Sequence, residues 1–547
     1  MRAASLARLT RLPARQSICR GPFDSIRLRA GSGSRSCGRA LSTQPTPGAS
    51  VAKLLDWKPE AEVRNVVVNG YIRSVRSMKA RSFVALSDGS SLVSLQAMVP
   101  ADRADGLTVG AAVRLTGSWV SSPGASQSHE LHVDQVKILG PSDAKTFPIQ
   151  KKYQTPEYLR TMPHLRSRTP YNAALLRLRS SAMASLTHFF ASRDFTQTHP
   201  PVITSSDCEG AGEVFTVTPA NQPADADGNE SFFRSPKYLT VSTQLHLEAL
   251  AQSVGNVWTL APTFRAEKSD TSRHLAEFYM LEAEMTFVDD MGSVMDLAED
   301  MLRHLSTSLY ATQVAHELFT RSPHLGSDLV PAEEVKQRWE GLMQPSWPRI
   351  TYTEAINILS EKADMFEFRP VWGNGLQAEH ERYIAQHIGG GRPVFVTDYP
   401  RDIKAFYMRQ QPDSGMDKVP AGSAPGPTVE CFDLLVPELC EIAGGSMREH
   451  RLPNLLEAMK RHGIATSSRL DNAGPSTSVP STSGKGETAT DANSDSTLDW
   501  YVDLRRWGCP PHGGFGIGFD RLLCYLSGVR TIRDVVAFPR WFGRCDC

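Results

Sequence analysis

Long apolar runs are missing from this chain of 547 residues: none approaches the eighteen or so consecutive residues that a membrane-spanning helix needs, so no membrane partner is expected. Excess charge is missing as well. Lys plus Arg number 59 and Asp plus Glu number 59, so the chain is no global polycation and any nucleic-acid surface has to be a local patch. Paired cysteines are also lacking. The nine cysteines show no CxxC spacing, the nearest approach being Cys545-Asp546-Cys547, which argues against a structural zinc site and a disulfide scaffold. A dinucleotide fingerprint fails too: after Gly514 and Gly516 the third glycine is replaced by Phe519, and after Gly516 and Gly518 by Arg521. The length exceeds one domain and predicts two or three.

What is present differs from region to region. Residues 1–45 hold nine Arg, no Lys and a single acid, Asp24. Arg2, Leu6, Arg8, Leu9, Arg11 and Leu12 fit a short basic amphipathic helix. That composition marks a disordered transit peptide directing the chain to the mitochondrial matrix, the alternative being a basic tail that binds RNA. Beyond it come five β-type runs over residues 60–140, separated by turn signals such as Asp88-Gly89 and Pro123-Gly124, with a longer polar break at residues 100–108 between the third and fourth. Five strands with that interruption predict an OB-fold barrel, which either binds single-stranded nucleic acid on its face or is a small barrel without a ligand. Residues 141–170, rich in proline and charge, read as a hinge. Apolar residues at helical spacing, Leu175, Leu178, Met183, Leu186, Phe189 and Phe190, then predict a helix over 171–192.

The densest chemistry lies in residues 264–285, FRAEKSDTSRHLAEFYMLEAEM, which read as two strands joined by a charged loop. Strand side chains alternate, so Phe278, Met280, Glu282 and Glu284 share one face, with Arg265 supplied by the neighbouring strand. An aromatic, two carboxylates and a guanidinium suit a nucleotide and a small polar substrate; the competing meaning is a charged hairpin on a solvated surface. Further on, GGFGIGFDRLLCYLSGVRTIRDVVAFPR at residues 513–540 reads as a glycine-rich strand passing into a helix. Small residues there let a ligand approach the backbone, and Arg521 stands at the junction.

Taken in order over residues 171–540, the helix with FTQTHPPVITSSDCEGAG, the charged hairpin and the glycine-rich segment resemble motifs 1, 2 and 3 of the class II aminoacyl-tRNA synthetases, and in detail the asparaginyl branch. The resemblance implies an α+β fold: an N-terminal five-stranded OB-fold β-barrel that grips an anticodon, followed over 171–547 by a class II catalytic domain, an antiparallel sheet flanked by helices. Polar insertions near 219–231, 411–428 and 465–497 interrupt that domain without splitting a motif. Motif 1, ending in Pro201, implies a homodimer, although the same helix could pack on its own domain. The implied partners are L-asparagine, ATP, Mg²⁺ and tRNA(Asn).

The implied chemistry is attack of an amino-acid carboxylate on the α-phosphate of ATP, then transfer of the acyl group to the 3′ end of tRNA. A carboxylate is already ionised near neutral pH, so the first step needs no general base, only charge neutralisation and alignment. By resemblance Arg265 would hold the α-phosphate and the substrate carboxylate, and Arg521 the far phosphates. Glu267, Arg273, His274 and Leu275 would hold nucleotide, Phe278 would stack adenine and Gly518 would complete the ATP site. Glu441 would ligate Mg²⁺, as a hard oxygen donor should. Glu209 and Gln244 would lie near the substrate ammonium and Arg448 near the side-chain carbonyl. On the barrel, Phe83 would stack an anticodon base and Gln96 would bond a central uridine.

Two positions bear on the amino acid. Aspartyl enzymes carry Lys where Leu247 stands and Asp where Glu282 stands. Glu282 can accept from an amide NH₂ but repels a carboxylate, which has no donor. Tyr399-Pro-Arg-Asp-Ile-Lys-Ala-Phe-Tyr-Met408 is also similar to the asparaginyl version. The rival readings are an aspartyl or non-discriminating enzyme, a synthetase-derived amide-forming enzyme and a non-enzymatic RNA-binding module.

Overall fold

Alternation of apolar and polar residues at period two builds the first part of the molecule. In the computed structural model, which describes residues 48–124, 127–205, 214–220, 232–233, 235–322, 328–412, 426–464 and 498–547, five strands close into a barrel. They are β1 (Val63–Ser77), β2 (Arg81–Ser87), β3 (Leu95–Pro100), β4 (Ala112–Ser121) and β5 (His129–Gly140), hydrogen-bonded in the order β1-β2-β3-β5-β4 with β4 returning to β1. Leu95, Ala97 and Val99 of β3 and Val113, Leu115 and Trp119 of β4 point inward and are buried. Each fully buried aliphatic of this kind stabilises the fold by about 1.5–3 kcal/mol. The polar break at 100–108 contains a short 3₁₀ turn, Ala101–Arg103. A short helix, Val51–Asp56, closes one end: Val51, Leu54 and Trp57 join the barrel core, and Trp119 Nε1 donates to the Trp57 carbonyl at 3.2 Å.

The segment expected to be a hinge is docked. It holds two short helices, Pro156–Arg160 and Pro163–Arg166, and the buried Arg166 donates to the carbonyls of Arg533 and Ala537 while pairing with Asp534. Arg160 Nε meets the same Asp534 at 3.0 Å. The long helix follows as α1 (Pro170–Ala191), opening with a proline in its first turn, where a missing N–H costs nothing. Leu175, Leu178, Leu186, Phe189 and Phe190 are buried as the periodicity predicts; Met183 departs from it, being 41% exposed.

The second core is organised on an eight-stranded sheet. Its elements in chain order are β6 (Thr196–Gln197), α2 (Gln244–Val254), β7 (Val257–Phe264), β8 (Glu277–Thr286), α3 (Met291–Tyr310), β9 (Arg349–Thr351), α4 (Ala378–His387), β10 (Val394–Thr397), β11 (Cys431–Val436), β12 (Cys440–Met447), β13 (His512–Gly518) and α5 (Phe519–Ser527). The strand order is β9-β10-β11-β12-β13-β8-β7-β6. The six strands from β10 to β7 run antiparallel, as expected, while the edge pairs β9–β10 and β6–β7 are parallel. Helices α1, α3 and α5 cover one face with a continuous apolar core, in which Phe190 stacks on Trp258 with ring centroids 4.7 Å apart. The other face carries the polar residues of β8 and β12 and forms the floor of a cavity. The expected insertion 465–497 lies outside the described residues, as do residues 221–231 and 413–425 of the other two.

Candidate active site

The charged hairpin folds as its alternation requires. Leu281 and Ala283 of β8 enter the helix-covered core, whereas Phe278, Met280, Glu282 and Glu284 face a cavity of about 300 Å³. The Arg265 N–H donates to the Ala276 carbonyl at 3.0 Å, closing the loop between β7 and β8. From that loop Arg265, Glu267, Arg273, His274 and Leu275 all reach the cavity. Arg265 lies 5.5 Å from the Phe278 ring centre, and Glu267 pairs with His274 Nε2 at 3.0 Å. Gln244 from α2, Glu441 from β12, Arg448, and Gly518 and Arg521 at the β13–α5 junction complete the convergence of the predicted residues. Glu209 lies outside the described residues.

Register divides the cavity along the strands. Glu284 sits opposite Gly514, itself opposite Ser446, whereas Met280 sits opposite Gly518. At the Glu284 end the charged groups are paired or hydrogen-bonded, although burial still raises the Glu284 pKa. Arg448 meets Glu284 with Nε at 3.1 Å and Nη2 at 2.9 Å, and gives Nη1 to Ser446 Oγ at 2.5 Å. Burial disfavours the guanidinium charge, but the paired carboxylate more than restores it and raises the Arg448 pKa. Glu282 accepts from Ser242 Oγ at 2.5 Å and from the N–H and hydroxyl of Thr243 at 3.1 and 2.5 Å, at the start of α2. One turn along α2, the fully buried Glu248 takes Gln244 Nε2 at 3.2 Å, Arg505 Nη2 at 2.6 Å, the Tyr501 hydroxyl at 2.8 Å and His512 Nε2 at 3.0 Å. Burial works against the Glu248 charge, yet Arg505 and His512 hold its pKa below the carboxylate range. Burial also opposes charge on His512, but its contacts with Cys509 and Glu248 push it up to about 10.

The glycines serve this arrangement. A Cβ on Gly514 would stand 2.1 Å from Glu284 Oε2, and one on Gly516 would meet Met280 Cε at 2.9 Å. Thus the glycine-rich strand makes room for side chains of β8, a cause additional to close approach by a ligand.

Toward the Gly518 end, carboxylates crowd. Asp433 of β11 and Glu441 stand on either side of Gly444, where a Cβ would be 3.6 Å from Asp433 Oδ1 and 3.4 Å from Glu441 Oε1. Lys404 clamps Asp433 with 2.8 Å contacts to both oxygens. Glu381 of α4 accepts from the Glu441 N–H at 3.4 Å. Burial first, and then the neighbouring Asp433, raise the Glu441 pKa; burial and Glu441 push Glu381 up to about 7. Arg521 Nη1 donates to the Glu441 carbonyl at 2.8 Å. Behind it Asp520 accepts the Tyr279 N–H at 2.7 Å and pairs with Arg179, locking α5 to β8 and α1. Among the described residues no group of three His, Cys, Asp or Glu side chains is arranged to hold a metal.

Sequence reasoning missed Asp433, Glu248 and Arg505, and met Lys404 only within the Tyr399–Met408 segment that is similar to the asparaginyl version. Glu248 carried a signal, since it stands four residues after Gln244 on one helix; Asp433 carried none, because only sheet pairing brings it to Gly444. On the barrel, Phe83 and Gln96 lie on the outer faces of β2 and β3, alternating with the buried Val84, Leu86, Leu95 and Ala97. Phe83 is opposite Met98 and Gln96 is opposite Ala85, so the two share one surface. Gln96 Nε2 donates to Glu130 at 3.1 Å.

Residues 155–542 match the family of class II tRNA synthetases (D, K and N), and residues 66–139 match the OB-fold nucleic acid binding domain. Barrel, sheet and cavity are thus those of a class II aminoacyl-tRNA synthetase. The mitochondrial asparagine–tRNA ligase of Saccharomyces cerevisiae is 40% identical over 498 residues, 87% of this chain and 92% of the relative. The asparagine–tRNA ligase of Nostoc sp. is 40% identical over 490 residues, 87% of this chain and 95% of the relative. The structure of the asparaginyl-tRNA synthetase from Pyrococcus horikoshii complexed with asparaginyl-adenylate superposes with a TM-score of 0.72 at 27% identity, covering 91% of this chain and 99% of that one. This chain belongs to the asparagine–tRNA ligases, a family of aminoacyl-tRNA ligases.

Proposed function

We propose that the protein activates L-asparagine with ATP to asparaginyl-adenylate and pyrophosphate, and then transfers the asparaginyl group to the 3′ end of tRNA(Asn), acting as a homodimer in the mitochondrial matrix. The observation that carries this reading is convergence: residues from the hairpin, α2, β12, β13 and α5, far apart in sequence, line one cavity of about 300 Å³.

Within it, the carboxylate oxygen of asparagine attacks the α-phosphorus, and the bond from that phosphorus to the bridging oxygen breaks, its electron pair leaving with pyrophosphate. Arg265 neutralises the two like-charged reactants and aligns them, which is the principal demand of this step. Phe278 stacks the adenine under the Arg265 guanidinium; Glu267 with His274, and Arg273 with Leu275, frame the nucleotide. Gly518 keeps the β13–α5 junction open, and Arg521 takes the far phosphates. Asp433 and Glu441 fit a Mg²⁺ ion: hard oxygen donors crowded around Gly444, with Glu441 disfavouring its own ionisation. That ion would neutralise phosphate charge when bound.

At the other end Arg448 and Gln244 face the amino acid, with Glu209 assigned to its ammonium. Leu247 lines this end and supplies no second cation. Glu282 already accepts from Ser242 and Thr243, and an aspartate carboxylate, which has no donor, offers its oxygens nothing to accept. On the barrel, Phe83 stacks an anticodon base and Gln96 reads a uridine. Homodimer formation is supported by the exposed Leu176 and Met183, two turns apart on α1, and import by the lysine-free basic residues 1–45 together with the yeast mitochondrial relative.

The test is amino-acid-dependent exchange of labelled pyrophosphate into ATP, with Asn and Asp compared. Exchange with Asn alone is expected. Exchange with Asp would move the reading to an aspartyl or non-discriminating enzyme, and exchange with neither would remove the catalytic reading altogether.

A further inference from the structure

A second cavity, of about 350 Å³, shares Arg273, Arg521 and Ile532 as a common wall with the first. Three more arginines line it: Arg338, Arg382 and Arg530. Only one carboxylate does so, Glu438, and it is already paired with Arg338. With Arg338 paired to Glu438 and Glu334, four guanidinium groups remain with no facing carboxylate in the lining, so the recess is cationic. Arg382 on α4 and Arg530 just after α5 are exposed at its rim, and no hydrogen bond or ion pair holds either within the described residues. A rim of unheld guanidinium groups around a solvent-filled recess suits a small polyanion, because each planar fork can take two phosphate oxygens.

The two cavities differ in balance. In the first, Glu267, Glu282, Glu284, Asp433 and Glu441 face a comparable number of Arg and Lys side chains, and its aromatics, Phe278 among them, have no counterpart in the second. Given the adenylate-forming reading above, on which this inference rests, the group that leaves is pyrophosphate, made of the far phosphates assigned to Arg521. Arg521 is the wall between the two cavities. We infer that the arginine-lined recess is a pyrophosphate site, taking the product from Arg521 toward solvent through Arg382 and Arg530 and separating it from the adenylate while the latter awaits tRNA. The recess binds a diphosphate and not the nucleotide, since it has no stacking surface for a base.

Pyrophosphate exchange on the full chain tests this with Arg382→Ala, Arg530→Ala and the double variant, both positions being exposed and outside the residues assigned to ATP, asparagine or tRNA. The double variant is expected to raise the KM for pyrophosphate about tenfold, the loss of charge-assisted contacts worth about 1.4 kcal/mol, with the KM values for ATP and asparagine within about twofold of the parent. Arg530→Lys, which keeps the charge without the fork, should fall between the parent and Arg530→Ala. An unchanged KM for pyrophosphate would overturn the proposal, as would an equal rise in the KM for ATP, which would make the recess part of the nucleotide site. A rise in the KM for tRNA alone would assign the recess to RNA phosphates instead. Absence of exchange in the unsubstituted chain with any amino acid would remove the adenylation reading itself, and the proposal with it.

Discussion

The two ends of the cavity handle charge in opposite ways. Around Glu284 the charged groups are buried and closed on one another: Arg448 on Glu284, Arg505 and His512 on Glu248, and Glu282 on the first residues of α2. Around Gly518 the carboxylates of Asp433, Glu441 and Glu381 crowd together, with Lys404 matched to Asp433, so that burial and like charge together raise the pKa values of Glu441 and Glu381. At Glu284 the Arg448 cation instead opposes the burial that raises its pKa. A finished network holds a shape in the absence of ligand, whereas a crowded one is relieved by a ligand that brings positive charge. On the reading proposed above, one end discriminates between small side chains and the other is completed by the nucleotide substrate.

The largest effect should come from opening the finished end. Arg448→Ala leaves Glu284 buried without its cation, and breaking a buried pair from one side typically costs about 3–5 kcal/mol. Urea unfolding should show a loss of that order; a variant as stable as the parent would mean that the network is not what shapes this end. Arg265→Ala should do the reverse, lowering asparagine-dependent exchange about 10²–10³-fold while unfolding like the parent. Its side chain is only partly buried, and on the reading proposed above it serves charges that arrive with substrate. Normal exchange, or a stability loss equal to that of Arg448→Ala, would erase the contrast.

A third, smaller effect is pH-dependent. The His512 pKa stands raised to about 10 against an ordinary 6.5, so its pairing with Glu248 contributes fully below about pH 6.5 and is lost as pH rises through about 10. The stability gap between the parent and His512→Gln, roughly 1–3 kcal/mol at pH 6, should therefore shrink steadily toward pH 10. A gap independent of pH would show that the histidine acts by packing alone.

Much of this site was legible because local pattern and three-dimensional role coincide. Alternation along β8 put Phe278, Met280, Glu282 and Glu284 on one face, and they share the cavity. The strand-to-helix passage at residues 513–540 was equally visible, but the reason for its glycines was not: the atom that excludes a Cβ at Gly514 belongs to Glu284, some 230 residues earlier, in a partner strand. Met183 shows the limit of periodicity, which places a residue on the apolar stripe of α1 without saying what covers that stripe. Asp433 was invisible for a related reason. It is an ordinary charged residue in its own segment, and only the pairing of β11 with β12 brings it beside Glu441, where Lys404 meets it.

The smallest predicted effect runs against intuition and tests the crowded end directly. Glu441 carries a raised carboxyl pKa, so the fold pays for its ionisation: the penalty is absent below the ordinary carboxylate range and accrues as pH rises through the raised value. Glu441→Gln removes that charge with little change in shape. At pH 8 and without nucleotide the variant should be more stable than the parent by about 1 kcal/mol, and the difference should vanish near pH 4.5. Addition of ATP with Mg²⁺ should reverse the order if Asp433 and Glu441 hold the cation as proposed above, because the parent would gain more from it than the variant. Thermal unfolding at the two pH values, with and without Mg²⁺–ATP, reads all of this in one experiment. A variant less stable than the parent at pH 8 without ligand would show that Glu441 is held by contacts of the same finished kind as Glu284, and the division of the cavity into a closed end and an unfinished one would fail.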